Sequence, residues 1–240
     1  MAKKSTAATA DEARAKSTAW AMTYADLVTL LLTFFIMLLV ILNDAEKHID
    51  RVINKLLDET YEELKENIES SYVEVERVTK GVKITMASGR LFKSMDADVQ
   101  EIVYPLLRQI GGIIRVSKIL NVDEDPKYNN LLTAIEKRGG FLNVEIRCEG
   151  HTDDLPLPKR ARYSSNWDLS TARALNIVKL LSSFSRINES KFSAMGYGEF
   201  RPVIDIGLVD ESLSVNDIRA KNRRVEIYLD AFIKTNTLTL

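Results

Sequence analysis

A lone carboxylate, Asp26, interrupts the run Trp20 to Leu42 (WAMTYADLVTLLLTFFIMLLVIL), where it is the only charged residue. As a helix this run spans roughly 34 Å, enough to cross a bilayer. A carboxylate at that depth is costly unless it is paired, hydrated or protonated, so its simplest use is to bind and release a cation. Thr29, Thr33 and Met37 follow Asp26 at spacings of three and four, which places two hydroxyls on its side of the helix. Their oxygens can ligate a bare cation or hydrogen-bond a protonated acid. One helix cannot enclose an ion, so this chemistry requires a partner membrane protein. The plainer alternative is a carboxylate near the interface that reaches water.

A second set of groups lies in the C-terminal half: Gly150-His151-Thr152-Asp153-Asp154, Asn166 to Ala174 (NWDLSTARA), Gly196-Tyr197-Gly198-Glu199 with Arg201-Pro202, and Asn222-Arg223-Arg224-Val225-Glu226. Asp153 follows a strand and Arg173 lies near the start of a helix. The carboxylate can hold an ammonium, and the guanidinium fork can hold a carboxylate bidentately. The helix N-terminus adds backbone donors. A zwitterionic, amino-acid-like ligand fits such a pair, and so does a structural Asp–Arg salt bridge.

The elements that must position these groups follow from periodicity. Residues 1–18 are small and polar without a period, which predicts a disordered tail. Residues 19–42 form the membrane helix. Residues 43–71 carry Ile49, Ile53, Leu57, Tyr61, Leu64 and Ile68 at helical spacing, predicting an amphipathic stalk or plug helix. From residue 72 the period becomes two: Val73, Val75, Val82, Ile84 and Met86 read as a hairpin around Thr79-Lys80-Gly81. A helix is expected over Asp96–Ile110, strands at Leu142–Cys148, Phe192–Gly196 and Arg224–Leu229, and a helix from an Asn166 cap through Leu181. Residues 111–140 hold one or two short helices between Gly pairs. The fold class is α+β: a transmembrane helix, a stalk, then a mixed sheet with helices packed on one face over residues 72–233, and a short tail at 234–240.

Composition narrows the function. Net charge is −1, with no basic stripe, so nucleic acid is not an expected partner. The two histidines, His48 and His151, lie in different segments, no glycine-rich phosphate loop is present, and no catalytic or metal constellation emerges. An enzyme is not expected. Cys148 is the only cysteine, which precludes an intramolecular disulfide. The run at 20–42 is long, and no small-residue cleavage site follows it, which argues for an uncleaved anchor. The short N-terminal segment suits the cytoplasm and the long C-terminal part the periplasm.

The four ordered blocks GHTDD, NWDLSTARA, GYGEFRP and NRRVEIYL resemble the OmpA-like peptidoglycan-binding domain over roughly residues 73–231. The resemblance implies that Asp153 and Arg173 clamp the diaminopimelate of peptidoglycan, with Asn222 and Arg223 lining the same groove. Trp20 and Tyr24-Ala25-Asp26-Leu27 before the apolar run resemble the B subunits of flagellar stators, the MotB/PomB type. That resemblance implies ion carriage at Asp26 (H+ or Na+, no cofactor); Thr29 and Thr33 are candidate ligands by their helical spacing alone. It implies a homodimer inside a ring of MotA/PomA-like multi-pass subunits in the bacterial inner membrane. It also implies a plug within residues 44–64. A related non-flagellar ion-driven motor, or a passive link from membrane to wall, shares these features.

Overall fold

The computed structural model describes residues 5–68, 70–208 and 214–235; the side chains of residues 5–19, 42–48 and 208 lie outside that description. The chain divides into two compact units, residues 1–50 and 51–240.

In the first unit, helix α1 (Ser5–Asn67) is already formed where a disordered tail is expected, and it continues beyond the apolar run. Its 22-residue stretch Trp20–Ile41 reaches a mean hydropathy of 2.4 in its most apolar 18 residues and is long and apolar enough to cross a membrane. The large apolar side chains of this stretch are exposed, as a lipid-facing or partner-facing helix requires.

The second unit contains the last turns of α1, so residues 51–67 are not a free stalk. Ile53, Leu56, Leu57, Thr60 and Leu64 are buried at helical spacing. Each fully buried leucine contributes about 2 kcal/mol. Hydrogen bonds fix the register: Arg77 reaches Asp58 (2.7 Å) and Asn54 (2.7 Å), and Lys118 reaches Glu59 (2.8 Å). The amphipathic stripe was legible in the sequence, but the surface it covers was not.

A five-stranded sheet follows: β1 (Val73–Val78), β2 (Gly81–Ala87), β3 (Gly140–Gly150), β4 (Phe192–Gly196) and β5 (Arg224–Thr235), in the order β1-β2-β5-β3-β4. Only β3 and β4 run parallel. The helices are α2 (Ser88–Leu91), α3 (Tyr104–Val116), α4 (Asn129–Glu136), α5 (Asn166–Ser185) and α6 (Val215–Asn222). Val144, Ile146 and Cys148 of β3, with Val225, Ile227 and Leu229 of β5, bury one face of the sheet. Complete burial pushes the Cys148 thiol up to about 12.

Three local expectations change. The helix expected at Asp96 starts at Tyr104. Asp96 Oδ1 accepts the Ala97 and Asp98 amides, and Phe92 bridges to Val99, so the chain stays non-helical to Gln100, passes through a 3-10 turn at Glu101–Val103 and enters α3 with Pro105 in its first turn. Gly111 and Gly112 lie inside α3 rather than ending it. A Cβ at Gly111 would press on the Ser185 side chain, so the glycine permits close approach of α5. The N-cap of α5 is Ser165, whose hydroxyl accepts the Asp168 amide, not Asn166. Helix α6 carries no apolar period strong enough to announce it.

Candidate functional site

Two glycines bring the site together. A Cβ at Gly150 would run into the Ser170 carbonyl, and one at Gly196 into Thr171, so the ends of β3 and β4 approach the first turns of α5 as only glycine permits. The loop after β3 is stitched in place by backbone bonds from His151 to the Arg224 carbonyl (3.0 Å) and from Thr152 to the Gly198 carbonyl (2.9 Å). Asp153 and Arg173 therefore face one groove of about 560 Å³, which α2, the turn after it and the Leu155–Pro158 loop also line.

The expected Asp153–Arg173 pair is not direct. Asp153 Oδ2 accepts from Arg223 Nη1 at 2.6 Å, and Oδ1 faces the Leu155 amide at 3.4 Å. Arg173 is buried, donates Nε to the Asp96 carbonyl (2.9 Å) and lies over the Phe92 ring. Its terminal nitrogens make no hydrogen bond among the described residues. Burial lowers the Arg173 pKa to about 10; the Asp153 carboxylate opposes that shift and the Arg223 cation adds to it. Arg173 stays charged at neutral pH. Two guanidinium groups thus face one carboxylate, with one fork uncommitted, an arrangement that attracts a carboxylate-bearing ligand. At the groove rim Met95 adopts a left-handed φ of 57°, a strain of about 1 kcal/mol of the kind concentrated at ligand sites.

Of the other expected residues, Arg223 lines the groove and Asn222 does not. Asn222 is buried, its Oδ1 accepts the Val203 and Ile204 amides (2.9 and 3.1 Å), and its Nδ2 donates to the Ile204 carbonyl (2.9 Å). It positions a loop rather than lining the groove. Asp154 forms a two-pronged pair with Arg219 (2.7 and 2.8 Å). In the first unit, the Thr29 and Thr33 hydroxyls donate to the carbonyls three residues back, Asp26 and Leu30 (2.8 and 2.9 Å). Their protons are committed, while the oxygens keep lone pairs for a cation.

Beside the groove lies a buried ionic cluster that sequence reasoning missed. Register places Glu149 opposite Glu226 and Arg147 opposite Tyr228 on the second face of the sheet. Arg147 pairs with Glu149 and Asp230; Arg224 pairs with Glu226 at 2.6 Å, and Tyr228 donates to Glu226 at 2.7 Å. Burial pushes the Glu226 carboxyl up, but the Arg224 and Tyr228 hydrogen bonds more than offset it, so its pKa is lowered. His151 Nε2 lies 3.7 Å from both glutamates. Burial, with Arg224 and Arg201 nearby, lowers its pKa to about 4 against the pull of Glu226, so the ring is neutral. The donor atoms of Glu149, His151 and Glu226 lie within 4.8 Å of one another. Each glutamate is paired with an arginine, which makes the cluster an ion network rather than a cation cage, while both buried ring nitrogens of His151 lack a hydrogen-bond partner among the described residues. Period-two alternation could have put these residues on one face; nothing in it signals that the face is covered.

Comparison with known proteins ties the two units to one plan. Residues 2–59 match the family described as membrane MotB of the proton-channel complex MotA/MotB, and residues 123–210 match the OmpA family. The chain is of the MotB type, with an OmpA-like domain. It is 29% identical over 157 residues to Motility protein B of Bacillus subtilis, covering 65% of this chain and 48% of that protein. The match therefore spans about half the length of that relative. Protein YtxE of the same organism is 28% identical over 228 residues, covering 89% of this chain and 88% of that one. Among solved structures, the cell wall anchor of the T6SS from Pseudomonas aeruginosa matches with a TM-score of 0.50 at 27% identity, covering 72% of this chain and 97% of that chain. A MotB-like protein from Desulfovibrio vulgaris shares the fold, with a TM-score of 0.54 at 19% identity over 78% of this MotB-type chain and 98% of its own.

Proposed function

We propose that this MotB-type chain is the wall-anchored, ion-carrying subunit of an ion-driven membrane motor, the stator of a flagellum. The observation that carries it is the coexistence, in one chain, of a lone intramembrane carboxylate and a groove with an uncommitted arginine fork. Asp26 takes up a proton or sodium ion from outside, Thr29 and Thr33 lend oxygens, and release to the cytoplasm resets the helix. The matched family's description, a proton-channel complex, favours the proton. Each elementary charge falling through 100 mV supplies about 2.3 kcal/mol. A ring of multi-pass, MotA-like subunits encloses a pair of these helices in the inner membrane, with the N-terminus cytoplasmic and the C-terminal domain periplasmic. Asp153, Arg173 and Arg223 hold the stem peptide of peptidoglycan, so motion of the ring becomes force against a fixed post.

Asp26→Asn is expected to assemble with its ring, pass no ion and generate no rotation. Ion flux and motility at wild-type levels in that variant would refute ion carriage. The likeness to a wall anchor of a secretion system favours one second reading, a passive link from membrane to wall. In that case Asp26→Asn keeps full function and only groove variants lose it.

A further inference from the structure

Trp167 and Phe200 form an exposed aromatic stack that the clamp chemistry does not use. Their ring centroids lie 5.3 Å apart with planes 27° from parallel. They remain 47% and 63% exposed. Large aromatic surface left in water beside a binding groove signals a ligand. The stack is also held rigidly. Trp167 is the second residue of α5, and its carbonyl accepts the Ser170 and Thr171 hydroxyls (2.9 and 2.8 Å). Phe200 sits in a turn closed by its amide on the Tyr197 carbonyl (3.2 Å). One side chain connects the stack to the groove. Asn166 Nδ2 meets the carbonyls of Asp153 (3.4 Å) and Leu155 (3.0 Å) and Glu199 Oε2 (2.6 Å).

A pyranose ring matches this surface. Its flat C–H face packs on an aromatic ring, while its equatorial hydroxyl and acetamido groups reach a polar rim. Here the rim is Glu199, the Trp167 indole N–H, which has no hydrogen bond among the described residues, and the exposed Arg201 over Tyr197. The wall polymer also has a suitable reach. A diaminopimelate three residues along the stem peptide lies about 10 Å from its sugar when extended. The stack begins one residue beyond Asn166, which itself lines the groove.

We propose that Trp167 and Phe200 form a glycan subsite that holds a pyranose face of the peptidoglycan strand while the groove holds the stem peptide. This rests on the stem-peptide reading of the groove.

The test uses the full chain in detergent with two probes: peptide-free glycan strands, and the isolated stem tripeptide carrying diaminopimelate. Wild type is expected to bind both. Trp167→Ala and Phe200→Ala weaken glycan-strand binding by about tenfold or more and change tripeptide binding by less than about twofold. Trp167→Phe, which keeps an aromatic face, restores most of the loss, which separates stacking from a structural role. Glycan binding unchanged in both alanine variants, or no glycan binding by wild type, overturns the subsite. Wild type that binds glycan but not tripeptide keeps the aromatic subsite and removes the stem-peptide reading instead.

Discussion

Two ion-rich regions meet at the C-terminal end of β3, and they are built to opposite ends. In the buried cluster each glutamate is paired with an arginine, Glu149 with Arg147, which also serves Asp230, and Glu226 with Arg224, and Tyr228 adds a further donor to Glu226. In the groove, Arg223 serves Asp153, while Arg173 spends one nitrogen on a backbone carbonyl and leaves its fork open. Both regions draw on the same two segments: Asp153 closely follows Glu149, and Arg223 is next to Arg224. The difference is charge pairing: charges paired with one another fix a fold, and an uncommitted guanidinium fork is available to a ligand.

Breaking the paired network gives the largest expected effect. Arg224→Met leaves Glu226 buried without its main partner and is expected to cost about 3–5 kcal/mol, read as a fall in the urea midpoint. Arg224→Met with Glu226→Leu removes both charges and recovers much of that loss. Opening the groove instead affects binding more than stability. Arg173→Gln is expected to weaken stem-peptide binding by about 2–3 kcal/mol, or roughly 30- to 150-fold, measured by calorimetry on the full chain.

Acid tests the buried cluster through His151. Its folded pKa, about 4, lies below its ordinary value of 6.5. The unfolded chain therefore takes the proton first. The stability that goes with a neutral His151 is complete above pH 6.5 and is lost as pH falls toward 4, up to about 3 kcal/mol in total. Glu226, also lowered, acts in the same direction but below its ordinary 4.5. His151→Gln is expected to flatten the dependence of the urea midpoint between about pH 6.5 and pH 5. A slope identical to wild type there would assign the titration elsewhere. The smallest effect belongs to the exposed pair Asp154–Arg219: Asp154→Asn is expected to leave both the midpoint and the ligand affinity unresolved from wild type.

The membrane run, the hairpin at Val73–Ala87 and the strands entering and leaving the site were legible in the sequence, because burial on one face imprints a period of two or an unbroken apolar run. So were Asp153, Arg173 and Arg223 as groove residues. Local hydrogen bonding hid the rest. Asp96 captured two amides and delayed α3 to Tyr104. Asn222 carries the polar amide of a ligand-binding residue, yet its neighbours in space, Val203 and Ile204, consume it. The cluster around Glu149 and Glu226 is polar by composition and buried by packing, a combination that alternation alone does not reveal. The stripe on residues 51–67 announced a partner without naming it; the partner is the rest of the unit to which those residues belong.

The claim that the open arginine fork is the ligand site is tested most directly by calorimetric titration of the full chain with the diaminopimelate tripeptide. Saturable binding by wild type, lost in Arg173→Gln while the fold is retained, is the predicted result. Equal affinity in the two proteins, or no binding by wild type, would contradict it.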